Sequence, residues 1–175
     1  MSNAIKPVTY QASIPVLQQL LTALSQTIDK TVAHCEAHKI DPQALLQARL
    51  YPNMFNLCKQ IQVTCDFAKN IPARCTATDP VKFEDTETTF PELQQRIARV
   101  VALLESIDPS TFAGMENRSL TVPLGPERSM SFATANDYLF RFALPNFFFH
   151  ATTAYDILRH NGVPLVKPDY LGEPV

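Results

Sequence analysis

The chain has 175 residues, 46% hydrophobic and 18% charged, with 15 basic and 17 acidic side chains and a formal net charge of −2. That balance belongs to a globular protein rather than a disordered one. No basic run with interleaved aromatics occurs, which argues against a nucleic-acid partner, and no apolar run approaches the length of a membrane span.

The length suits a single domain over residues 1–175, with roughly 70% of the unfolded chain's surface buried around one core. Only four glycines argue against a turn-rich β fold, and most of the fourteen prolines fall between periodic segments. Gln18, Gln19 and Ser25 interrupt the leucine-rich N-terminal segment, so it does not read as a signal peptide. Cys35, Cys58, Cys65 and Cys75 form no C-x-x-C pair. They read as reduced structural thiols of a cytoplasmic protein.

The first helix is expected from about Ile14 to Glu36, with Ile14, Leu17, Leu21, Leu24, Ile28, Thr31 and Cys35 on its seam. Asp41 then caps a short turn that has Pro42 at its first position. A second helix starts after Asn53, read as its N-cap, with Met54, Leu57, Ile61, Cys65 and Ala68 facing inward. Pro72 is expected to end or kink it near Asn70. Asp79 to Thr89 is polar and irregular. Thr88 or Thr89 caps a third helix, opened by Pro91 and Glu92, with Leu93, Ile97, Val100 and Leu104 on its seam.

Between Ser119 and Phe132 the hydrophobic period drops to two, which predicts a β-hairpin across Gly125–Arg128. Pro123 marks an exposed strand edge. The fourth helix runs from about Thr134 to Asn161 and stops at Gly162. Pro145 should kink it and release the carbonyl near Arg141. The proline-containing tail after Val163 is expected to lie extended across the bundle.

On the fourth helix Leu139, Ala143, Asn146, His150, Ala154 and Ile157 fall within roughly 40° of one another at 100° per residue. That stripe is apolar except for Asn146 and His150. Both are therefore expected to point inward, where an unpaired polar group costs about 1–3 kcal/mol. A satisfied core histidine is one reading; a pocket with His150 as ligand or base is the other. Gln60 and Gln62 flank the seam of the second helix, and either can reach inward to meet them. Phe140, Phe147, Phe148 and Phe149 cover most of the remaining circumference. A single bundle core does not accommodate all four rings, so the hairpin, the tail or a second subunit must cover them, and a homodimer through this helix is expected. His34 and His38 also lie one turn apart, but two histidines without a third ligand make no metal site.

Several motifs together carry a family resemblance. They are Arg49-Leu50-Tyr51-Pro52-Asn53-Met54-Phe55, Gln60-Ile61-Gln62 with Asp66 after it, Pro145-Asn146-Phe147-Phe148-Phe149-His150, Ala154-Tyr155 and Arg159-His160-Asn161-Gly162. In this combination the chain resembles a branch of the DinB/YfiT-like superfamily known as a domain of unknown function. The resemblance implies an all-α fold: an up-down-down-up four-helix bundle, often homodimeric, here with a small β-hairpin inserted before the last helix. It also implies a divalent metal, zinc or nickel, held by one histidine of the second helix and two of the fourth, and used for hydrolysis or thiol transfer.

In this sequence the two fourth-helix positions are Asn146 and His150, and the second helix has no histidine. Neutral amides are poor zinc ligands beside imidazole or thiolate. The sequence therefore favours a dimeric binding or structural protein with a degenerate metal site. The alternative is a hydrolase or thiol transferase with an altered site centred on His150. The pocket candidates are Asn146, His150, Gln60 and Gln62. No catalytic residue and no cofactor is assigned, and His150 is the single metal-ligand candidate.

Overall fold

A computed structural model describes residues 6–174. Four long helices carry the fold: α1 (Val8–His38), α3 (Leu57–Thr76), α4 (Phe90–Glu105) and α6 (Leu144–His160). Short helices α2 (Pro42–Leu46), α5 (Ala135–Tyr138) and α7 (Lys167–Leu171) lie between or after them. Strands β1 (Leu120–Pro123) and β2 (Ser129–Phe132) pair antiparallel, Leu120 opposite Phe132 and Pro123 opposite Ser129. Within the four-helix ring, α1 packs on α4 and α6, and α3 packs on the same two helices. The seam residues read from the sequence, among them Ile14, Leu17, Leu21, Ile28, Ile61, Cys65, Leu93, Ile97, Val100 and Leu104, are buried in one core.

Local signals set most helix ends. Asp41 accepts a hydrogen bond from the Gln43 amide, and Pro42 follows it. Thr89 and Glu92 form a reciprocal capping box. The fourth-helix region ends at Asn161, and Gly162 adopts φ of +93° so that the Val163 amide can reach the Leu158 carbonyl.

Besides α1, which begins at Val8 rather than near Ile14, three features differ from the expected ones. α3 begins at Leu57 and is capped by Asn56, not Asn53. Both asparagines precede the same apolar pattern. Long-range bonds decide between them: the Leu57 amide donates to the Ala48 carbonyl and Asn56 Nδ2 to Gln47 Oε1, which holds the intervening residues in a loop. α3 also runs through Pro72 to Thr76. The interior proline forfeits one backbone bond, while Ile71, Pro72 and Cys75 are all buried in this last stretch. Finally, the tail is not simply extended. It folds into α7, which packs on α1 through a Lys30–Asp169 ion pair at 2.6 Å and a Gln19 hydrogen bond to the Leu171 carbonyl.

Pro145 acts one turn upstream of itself. Residues Leu139–Ala143 form a single π-turn, in which the Leu144 amide reaches back to the Leu139 carbonyl. Pro145 has no N–H for the preceding turn, and the wider turn absorbs that missing bond without breaking the helix. The hairpin packs against this turn, with Phe132 edge-on to Tyr138 and tilted against Phe142, both at 5.5 Å.

Candidate functional site

α3 and α6 are the most extensively packed pair of elements, and His150 sits on their seam. Its Nδ1 lies 2.7 Å from Gln60 Oε1. Gln60 is 1% exposed and donates its own amide to the Phe55 carbonyl at 3.3 Å. The imidazole is near-parallel to Phe67 and Phe55, at 5.9 and 6.5 Å, and meets Phe149 edge-on at 5.2 Å. Burial holds the His150 pKa below the usual histidine value.

The four pocket candidates do not converge. Gln60 is the glutamine that meets His150. Gln62 points to the other flank of α3 and donates to Glu87 Oε2 at 3.0 Å. Asn146 shares the face of His150 but turns its amide back to the Phe142 carbonyl at 2.7 Å. Both Asn146 and His150 are half-buried rather than enclosed. Leu139, Ala143, Ala154 and Ile157 of the same stripe are fully buried, so only its two polar members keep solvent contact. A cavity of about 550 Å³ lies elsewhere, where Pro72, Ala73 and Thr76 of α3 face Leu103 of α4, and His150 does not line it.

The aromatic count on α6 also changes. Phe147 is fully buried and Phe148 packs half-buried against it. Only Phe140 and Phe149 remain exposed, at 46% and 56%. On the tail side Tyr170 covers Tyr155 edge-on and accepts a hydrogen bond from Thr152.

Sequence reasoning missed one polar centre. Arg96 of α4 has no exposed side-chain surface and reaches Asp66, Asp85 and Glu87 at 2.9–3.0 Å. Lys59 pairs with Asp85 and Lys69 with Asp66, and Cys58 donates to the Glu87 carbonyl. The group pins the irregular 77–88 segment across α3 and α4. Its signal was present: Arg96 follows Leu93 by three residues on the apolar face, and a charge there must be paired. The other histidines build nothing comparable. His34 and His38 lie tilted against each other at 4.3 Å near the C-terminal end of α1, His34 half-buried and His38 exposed.

A metal of the kind the resemblance implies finds no matching donor set. His150 supplies one imidazole, its hydrogen-bond partner Gln60 is a carboxamide, and Asn146, one turn earlier on the same face, is another. Among the described residues no group of three His, Cys, Asp or Glu side chains is placed to hold a metal ion. Zinc and nickel favour imidazole and thiolate over neutral amides, so the residues present do not fit that group.

The described residues form a helical bundle with a hairpin before its last long helix. A crystal structure of a DinB family member protein from Shewanella denitrificans matches with a TM-score of 0.86 at 38% identity, over 94% of this chain and 92% of that one. The model of a domain of unknown function, DUF1993, matches residues 9–171, and the chain belongs to that family. None of the curated proteins matches it. No helix among the described residues is long and apolar enough to cross a membrane.

Proposed function

We propose that this chain is a homodimeric binding protein on an up-down-down-up DinB bundle, working without a metal and taking a small ligand at the half-buried His150 between α3 and α6. The observation that carries this reading is the 2.7 Å contact of His150 Nδ1 with Gln60 Oε1, which sets a carboxamide rather than a second imidazole against His150. Phe55 and Phe149, 52% and 56% exposed, flank that pair with apolar surface that water solvates poorly. One oriented polar group among aromatic rings is the usual composition of a small-molecule site. Four free, buried thiols agree with a reducing compartment such as the cytoplasm.

A second reading, a hydrolase or thiol transferase centred on His150, draws on the same neutral imidazole, which can accept a proton. In the thiol version the thiol substrate supplies the nucleophile and His150 takes its proton, because the chain's own cysteines are not available. All four cysteines are buried, and burial pushes the Cys65 and Cys75 thiols up to about 12. Elemental analysis separates the readings. The binding protein is expected to carry well below one equivalent of zinc or nickel after incubation with either ion. A full equivalent that disappears in His150→Ala would overturn the metal-free reading.

A further inference from the structure

The amide of Gln60 has only one orientation that satisfies both of its neighbours. Its Nε2 donates to the Phe55 carbonyl, which leaves Oε1 facing the imidazole. Reversing the amide would set oxygen against the carbonyl oxygen and lose that bond. An amide oxygen only accepts, so the proton of the ring must sit on Nδ1. His150 Nε2 then carries a lone pair. No protein group among the described residues bonds to it, and it is not a sealed, orphaned atom, so it meets solvent. The same holds for Asn146 Oδ1, one helical turn earlier on the same face. His150 Nε2 therefore offers an acceptor beside the exposed rings of Phe55 and Phe149, whose centroids lie 6.5 and 5.2 Å from the imidazole.

We propose that Gln60 is a positioning residue that locks His150 as an Nδ1–H tautomer, and that Nε2 accepts an N–H or O–H from a flat, uncharged aromatic ligand lying against Phe55 and Phe149. The inference rests on the binding reading above and names its ligand class. Planarity follows from the aromatic walls, which favour offset-stacked or edge-on rings. The donor follows from the lone pair. A ligand that offers only acceptors would leave two buried acceptors facing each other, which costs affinity. Carboxylates and phosphates are disfavoured because a neutral imidazole gives them no cation.

Two measurements on the full chain test this. The first is the two-bond proton–nitrogen NMR spectrum of the imidazoles at pH 7.5, which reads the tautomer of each histidine directly. His150 is expected as Nδ1–H, and Gln60→Leu is expected to abolish that preference. The second is a titration with phenol and with its methyl ether, which has the same ring without the donor. Phenol is expected to shift the His150 Nε2 resonance and to bind at least tenfold tighter than the ether, and the ratio is expected to fall towards one in Gln60→Leu. Should that variant fail to fold, the wild-type tautomer and the wild-type ratio decide. An Nε2–H tautomer, or equal binding of both probes, overturns the acceptor assignment and leaves the half-buried His150 as a binding site. If neither probe perturbs His150, Phe55 or Phe149, both the assignment and the binding reading fail.

Discussion

Gln60 and His150 stand ninety positions apart in the chain and share one 2.7 Å hydrogen bond across the α3–α6 seam. The bond is the polar centre of an otherwise aromatic contact, and its partners have unequal environments. Gln60 is sealed, whereas His150 is only half-buried.

That asymmetry sets a pH response. Desolvation holds the His150 pKa below its unfolded value, so the folded state binds the proton less readily than the unfolded one. Its contribution to stability is complete above the ordinary histidine pKa of about 6.5 and is lost as pH falls through the folded value. NMR titration of the His150 ring should give a midpoint below the ordinary histidine value of about 6.5. Urea denaturation at pH 7.5 and pH 5 should show a smaller pH dependence in His150→Phe than in the wild type. A His150 midpoint at or above the ordinary value would remove the burial argument.

Arg96 is the most stringent stability test. Its guanidinium faces Asp66, Asp85 and Glu87, and its Nε is buried without a partner. Removing the cation leaves three carboxylates crowded around an apolar cleft, and breaking a buried ion pair in this way costs about 3–5 kcal/mol. The carboxylates keep some solvent contact, so Arg96→Met is expected near the lower figure in chemical denaturation. Limited proteolysis of that variant should cut first within residues 77–88. Acid should act in the same direction. Burial alone would raise Asp85, but the Lys59 and Arg96 cations outweigh it and hold the carboxyl below its usual value. Its stabilisation is present above the unfolded carboxylate pKa and is lost as pH falls through the folded one.

Ala77 closes α3 with φ of +60°, a left-handed conformation that an L-residue with a Cβ adopts at a cost of roughly 1–2 kcal/mol. Glycine relieves that strain but widens the unfolded ensemble. Ala77→Gly should therefore stabilise the protein by about 0.5–1 kcal/mol, seen as a higher denaturation midpoint at unchanged slope. A neutral or negative effect would mean that the turn is not strained.

The proposed dimer now rests on Phe140 of α6 rather than on four rings, because Phe147 lies in the core, Phe148 packs beside it and Phe149 walls the proposed ligand site. Phe140 stays 46% exposed, and exposed apolar surface marks interfaces. Light scattering at micromolar concentration should give twice the 19.6 kDa chain mass, with Phe140→Glu shifting the population to monomer. A wild-type mass that stays at 19.6 kDa on concentrating the sample would exclude the dimer.

What the sequence determined by itself was whatever a few neighbouring residues can specify. Asp41-Pro42, the Thr89–Glu92 box and Gly162 act within one turn of chain, so their helix ends were readable. The period-two stretch before Phe132 identified the hairpin for the same reason. Helix seams were legible because burial repeats with the helical period. Tertiary structure decided whatever depends on a partner far along the chain. The choice of Asn56 over Asn53 turns on bonds to Gln47 and Ala48. That Gln60 and not Gln62 meets His150 turns on the rotation of α3 against α6, since a residue two positions away faces Glu87 instead. Two positions are about 200° around a helix, an angle that periodicity resolves only once the neighbouring helices are in place.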